Sequence, residues 1–192
     1  IELPPEAREL RVRMHLLDFA DPRNAKRSVM GTPDVPHGQQ HWIDLGDRQV
    51  RKIMSMGSLD CVLYEGMLSD EECEHIKTAS EPYLKRSAVV GKNFSNVETR
   101  IRTSAGAFLD RGMDPVISAI EERVARLTGV SSDRGEGLQV LHYTDAQEYQ
   151  PHYDFFETQT EEEARMLAGP GNRIGTLIFY LNDVDEGGAT YF

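Results

Sequence analysis

The chain has 192 residues, 39% of them hydrophobic and 28% charged, with a formal net charge of −11 at pH 7. That composition fits one ordinary globular domain, excludes collagen-like and disordered classes, and offers no run near the roughly 20 apolar residues of a membrane-spanning helix. The acidity is unevenly spread, +1 over residues 1–52 and −12 over the remainder; such a surface repels phosphate and argues against nucleic acid as a partner. A solvated acidic face and a preference for basic, Lys-containing peptides are both compatible with it.

In chain order, residues 4–19 are expected to be helical, with Pro4-Pro5 at the start and Leu10, Met14 and Leu17 on one stripe. Residues 20–57 are rich in Pro, Gly and polar residues and read as an extended arm, so that 1–57 stands apart from a domain over 58–192. Ser69-Asp-Glu-Glu72 is a capping box, opening a helix that contains Cys73 and Ile76. Residues 83–91 read as strand and 92–100 as a polar loop carrying the glycosylation sequon Asn93-Phe94-Ser95. Residues 101–109 are strand-like, with a bend at Gly106. Asp114-Pro115 opens a helix over 116–128 whose buried stripe is Val116, Ile120, Val124 and Leu127. Gly137–Tyr143 reads as strand, Glu161–Leu167 as a short acidic helix, and Arg173–Asn182 as a second, nearly continuous apolar strand. A Gly187-Gly188 turn then leads into a last strand. Helices first and strands later suggest an α+β class, with helices against one side of an antiparallel sheet. Cys61 and Cys73 allow one disulfide, or a Cys73 buried in its helix.

The run Gln150-Pro151-His152-Tyr153-Asp154 carries the chemistry. On a strand, alternation would project His152 and Asp154 from one face. One imidazole and one carboxylate are two of the three ligands in the facial triad of non-haem Fe(II) oxygenases. A bare His-x-Asp is also a common surface pair. Thr176, Ile178 and Tyr180 would share one face of their strand, forming an apolar wall with a phenol tip.

The segments "LSDEECEHI…RSAVVG…RIRTSAGAFL", "EGLQVLHYTDAQEYQPHYDFF" and "RIGTLIFYLNDVDEGGATYF", in unbroken order from about Ser58 to Phe192, resemble the prolyl 4-hydroxylases, and the short single-domain form is closer to the plant and algal members. The resemblance implies a double-stranded β-helix, or jelly roll, and hydroxylation of peptidyl proline at C4 coupled to oxidative decarboxylation of 2-oxoglutarate to succinate and CO₂. It implies Fe(II), 2-oxoglutarate and O₂, with L-ascorbate to rescue oxidised iron. Catalytic and metal-binding roles fall to His152 and Asp154. The 2-oxoglutarate pocket takes Tyr143, Tyr180 and Thr190, and the peptide takes Arg102, Ser104, Glu136 and Arg173. Partners would be proline-rich peptides or proteins in the endoplasmic reticulum or secretory pathway, with any targeting segment or membrane anchor outside this chain.

In that family a second metal-binding His, and a Lys for the distal carboxylate of 2-oxoglutarate, lie beyond the Gly-Gly turn. No His follows His152, and His15, His37, His41, His75 and His142 do not match the motif context. The chain is therefore expected to be a C-terminally incomplete copy, with an unpaired edge exposing Leu177, Phe179 and Leu181. Two other readings stay open: a non-catalytic module that binds prolyl peptides, and a hydroxylase of the same chemistry acting on another substrate.

Overall fold

The computed structural model describes residues 9–18, 41–56, 61–86, 89–90, 96–97, 103–156, 160–168 and 171–191. In chain order its elements are β1 (Glu9–Asp18), β2 (His41–Asp44), β3 (Gln49–Met56), β4 (Cys61–Glu65), α1 (Asp70–Ser80), β5 (Lys85–Arg86), β6 (Val89–Val90), β7 (Asn96–Val97), β8 (Ala105–Leu109), α2 (Pro115–Thr128), β9 (Leu138–Tyr143), α3 (Glu161–Leu167) and β10 (Asn172–Tyr180). Five strands form the main sheet in the order β10-β1-β9-β8-β5, each neighbouring pair antiparallel. A three-stranded meander β2-β3-β4 and the short ladder β6-β7 complete the sheets.

Residues 9–18 are a strand, which corrects the helix expected over 4–19; residues 4–8 and 19 lie outside the described residues. Leu10, Met14 and Leu17 do fit a helical stripe. Leu10, Val12, Met14 and Leu16, separated by Arg11, Arg13 and His15, fit a two-residue period better, and that alternation wins. β1 enters the middle of the main sheet, between β9 and β10. The extended arm is likewise corrected over 41–56, which forms the hairpin β2-β3. Its turn is set by Asp44, whose Oδ1 accepts from Gly46 N at 2.8 Å, and by Gly46 at φ 87°. Residues 19–40, with the rest of the arm, and the Asn93 sequon lie outside the described residues.

Both helices start where the caps put them. Ser69 Oγ accepts from Glu72 N at 3.2 Å while Glu72 Oε2 accepts from Ser69 N at 2.9 Å, the reciprocal capping box. Asp114 Oδ1 accepts from Ile117 N at 2.9 Å, and Pro115 follows at the first helical position. Gly129, at φ 70°, closes α2 in the left-handed conformation with its N–H on Ala125 O at 2.8 Å. The buried side of α2 centres on Ile117, Ile120 and Val124, with Val116 and Leu127 only half-buried at its margins.

Helices α1 and α2 pack on one face of the main sheet. Ile76, Ile117, Ile120 and Val124 share a core with Met14, Leu109, Leu138, Val140, Leu177 and Phe179. In register, Ala107 faces Val140, Leu109 faces Leu138, and Met14 faces Leu177, so these side chains stand on the helix side. The opposite face takes Phe108, Gln139, Leu141 and Tyr143, and Thr176, Ile178 and Tyr180 at the other edge. The expected exposure of Leu177, Phe179 and Leu181 is corrected: all three are 4–7% exposed, because alternation turns them toward the helices.

Three further local expectations change. Over its described residues the strand expected at 83–91 is corrected: Tyr83 ends a 3₁₀ turn, and the two-residue β5 and β6 belong to different sheets. Gly106 sits in register between Lys85 and Leu141 rather than at a bend. Past the turn made by Gly187 and Gly188, at φ 82° and 68°, residues 189–191 form no strand. Cys61 and Cys73 remain thiols, and burial pushes the Cys73 thiol up from its ordinary value.

Candidate functional site

β10 and the end of β9 form the floor of the site, on the sheet face away from the helices. Glycine is required just before β9: a Cβ on Gly137 would stand 2.5 Å from the Leu109 carbonyl oxygen, so any side chain would push β8 and β9 apart.

Residues 150–156 do not form a strand, which corrects the alternation argument for His152 and Asp154. Pro151 offers no N–H to a ladder. The two side chains converge nonetheless, with His152 Nε2 3.2 Å from Asp154 Oδ1. Other contacts bring them together. His152 Nδ1 lies 2.7 Å from the Gln150 carbonyl, which can only accept, so Nδ1 carries the hydrogen. The Tyr149 ring stacks on the imidazole, with centroids 3.6 Å apart and planes at 19°. Thr176 Oγ1 donates to Asp154 Oδ2 at 2.7 Å.

The loop backbone is anchored to β10. Asn172 Oδ1 accepts from Phe156 N and its Nδ2 donates to Phe156 O, both at 2.9 Å. Arg173 Nη1 donates to the Asp154 carbonyl at 3.2 Å, and its guanidinium lies 4.6 Å from the Phe156 ring centroid. The same guanidinium holds Glu136, through Nε to Oε1 at 2.6 Å and Nη2 to Oε2 at 2.8 Å.

This donor set fits a divalent cation. With Nδ1 protonated, a neutral His152 presents the lone pair of Nε2 to a carboxylate oxygen that also only accepts. Two acceptors that close are stabilised either by a proton on the imidazole or by a cation shared between them. Both side chains are about one-third exposed, so an ion has access. Among the described residues no group of three or more His, Cys, Asp and Glu forms a metal site. The pair would therefore supply two of the protein ligands such an ion needs.

The other site residues named above distribute as follows. Tyr180 Oη lies 3.0 Å from Thr190 Oγ1, bringing those two together at the end of β10. Tyr143 ends β9 on the same sheet face, half-buried. Glu136 and Arg173 pair with each other, and Arg173 also reaches the Asp154 carbonyl. Ser104 is fully buried, so its hydroxyl is not presented to a solvent-borne ligand in this arrangement. The adjacent Thr103 ties this segment to the site loop, its Oγ1 accepting from Glu148 N at 2.9 Å. Arg102 lies outside the described residues.

Thr176, Asn172, Tyr149 and the Gln150 carbonyl support the pair without having been assigned to it from sequence. Alternation placed Thr176 with Tyr180 and could have flagged it. Nothing in the sequence marks Asn172 as a backbone clamp sixteen residues from Phe156.

A family model described as the 2OG-Fe(II) oxygenase superfamily matches residues 138–192. Prolyl 4-hydroxylase 5 of Arabidopsis thaliana is 43% identical over 168 residues, 87% of this chain and 53% of the relative. Probable prolyl 4-hydroxylase 3 and probable prolyl 4-hydroxylase 8 of the same organism are 43% and 44% identical over 131 residues, 68% of this chain and 44% and 43% of theirs. The chain spans about half the length of the curated relatives it matches.

Proposed function

Over the segments it shares with these relatives the chain belongs to the prolyl 4-hydroxylase family, and on that footing we propose that the protein hydroxylates peptidyl proline at C4 in proline-rich substrates, with conversion of 2-oxoglutarate to succinate and CO₂. The observation that carries this reading is the convergence of His152 Nε2 and Asp154 Oδ1 beside the Thr176 hydroxyl, on the strand face that also carries Tyr180. The family fold is a jelly roll, of which the five-stranded antiparallel main sheet would form one wall. L-ascorbate as reductant and residence in the secretory pathway belong to the same proposal.

Iron held by His152, Asp154 and a further ligand would supply O₂ activation coupled to oxidation of a proline C–H bond. Everything else falls to the chain's own groups. The Gln150 carbonyl keeps the Nδ1 hydrogen in place, leaving Nε2 free to coordinate. Tyr149 fixes the ring plane. Tyr180 and Thr190, paired at 3.0 Å, would offer a hydroxyl donor to a carboxylate of 2-oxoglutarate, with Tyr143 on the same sheet face. By resemblance, Arg102, Glu136 and Arg173 would face the peptide, whose polyproline II form leaves its carbonyls without internal partners; the buried Ser104 would not. Arg173 has a second duty, holding the loop that carries Asp154.

The test is turnover in the full-length protein with poly-proline-type peptides. Peptidyl 4-hydroxyproline detected by mass spectrometry, dependent on 2-oxoglutarate and lost in His152→Ala and Asp154→Ala, is the expected result. Retained 2-oxoglutarate decarboxylation in both variants, or a free amino acid as the better substrate, would overturn it.

A further inference from the structure

Thr176 occupies the middle of β10, in register with His15 of β1, on a strand that alternation holds rigid from the core side. Its side chain is branched at Cβ and has few rotamers. An ionised carboxylate only accepts, so the 2.7 Å contact is a donation from Thr176 Oγ1 to Asp154 Oδ2. That bond engages one carboxylate oxygen. The other, Oδ1, is the one 3.2 Å from His152 Nε2. The main chain of Asp154 is held separately by Arg173, and that of Phe156 by Asn172. The loop is therefore anchored without Thr176, and what the hydroxyl adds is the orientation of the carboxylate itself.

We infer that Thr176 is a positioning residue that restricts Asp154 to single-oxygen coordination and so sets which cation the site accepts; this rests on the metal reading proposed above. A carboxylate tied back through Oδ2 offers a cation one oxygen at the imidazole. Small first-row cations accept one nitrogen and one oxygen from a side-chain pair. Calcium prefers six to eight oxygens and often takes both oxygens of a carboxylate. Freed from Thr176, Asp154 could rotate and present both. Thr176 thus biases the site against Ca(II), the chemical class of competitor it would exclude.

The experiment uses the full-length protein and Co(II), whose visible absorption reports ligand type and number. Wild type, Thr176→Val and Thr176→Ser are titrated with Co(II) and then challenged with Ca(II), and each metal-free protein is melted to compare folding. The expected result is a loss of Co(II) affinity in T176V of roughly 10- to 100-fold. Displacement by Ca(II) should occur at correspondingly lower concentration, with T176S close to wild type. Equal Co(II) affinity and equal Ca(II) competition in wild type and T176V would overturn the role of Thr176 alone. So would a loss shared by T176S, or a lowered melting temperature with an unchanged Co(II)-to-Ca(II) ratio, each of which marks a packing role. A wild type that binds no Co(II) would overturn the metal reading and this inference with it.

Discussion

Arg173 grips Glu136 through two parallel hydrogen bonds, Nε to Oε1 at 2.6 Å and Nη2 to Oε2 at 2.8 Å, and its remaining nitrogen reaches the Asp154 carbonyl. One guanidinium therefore joins the segment before β9, the start of β10 and the loop bearing the candidate ligands. Lysine has a single ammonium and cannot form that fork. Arg173→Lys should cost about 1.5–3 kcal/mol, the range for hydrogen bonds to charged groups, and should speed amide exchange at 154–156. Denaturant melts and hydrogen exchange read both. Unchanged protection at 154–156 would show that Asn172 holds the loop by itself.

Arg123 organises the other side of the molecule. Only 3% exposed, it donates to Glu72 at 2.7 and 3.0 Å, to Asp47 at 2.8 and 3.1 Å, and to the Met67 carbonyl at 2.6 Å. This ties α2 to the capping box of α1 and to the turn between β2 and β3. Arg123→Ala leaves the half-buried Glu72 carboxylate with Arg48 and the Ser69 amide but without its main partner, which should cost about 1.5–3 kcal/mol. Asp47, partly in water, carries the smaller share.

The same cluster sets a pH dependence. Hydrogen bonds from Arg123 hold the Asp47 carboxyl below its ordinary value of 3.8. For Glu72, burial pulls upward, but Arg123 and the Ser69 amide outweigh it and leave the carboxyl below its ordinary 4.5. Depressed carboxyls contribute stability that is present above the unfolded values and lost as pH falls through the folded ones. Wild type should therefore lose stability as pH drops below about 4.5, and Arg123→Ala should lose less over that window. Parallel acid slopes in the two proteins would count against the cluster as their source.

Glu121 has the opposite sign. It is 5% exposed on α2, its Oε2 accepts from Gly112 N at 3.0 Å, and its buried Oε1 has no hydrogen-bond partner among the described residues. Burial raises its pKa. A raised carboxyl contributes stability below its unfolded value that is lost as pH climbs through the folded one. Glu121→Gln keeps an acceptor for Gly112 and carries no charge, so it should be the more stable protein at pH 8, with the advantage shrinking toward pH 4. Melts across that range decide it, and a Gln variant that is less stable at pH 8 would show that the carboxylate has a partner worth more than its burial.

Much of this was legible in the sequence because local chemistry decided it. Ser69 with Glu72, Asp114 with Pro115, and the alternation of Thr176, Ile178 and Tyr180 against Leu177 and Phe179 each state their own structure. The N-terminal strand was misread because two periodicities fit one short segment, and only pairing with β9 and β10 chooses between them. The His152 and Asp154 side chains converge, but not through strand alternation. A loop pinned by Asn172, Arg173 and Thr176 brings them together, and such contacts sixteen to twenty-two positions away leave no mark on the local pattern.

The hydroxyl pair at the end of β10 gives the last test. Tyr180 Oη and Thr190 Oγ1 are 3.0 Å apart, and one of them donates to the other. If they bind 2-oxoglutarate together, removing one hydroxyl also frees its partner to turn away. In the full-length protein Tyr180→Phe should raise KM for 2-oxoglutarate about three- to tenfold, the equivalent of one neutral hydrogen bond, while KM for a prolyl peptide stays within about twofold. Because the two groups act as a unit, the Tyr180→Phe, Thr190→Val double variant should lose less than the product of the single losses. Strictly multiplicative effects would place the two hydroxyls on separate tasks. A rise in peptide KM with no change for 2-oxoglutarate would instead move Tyr180 to the peptide side of the site.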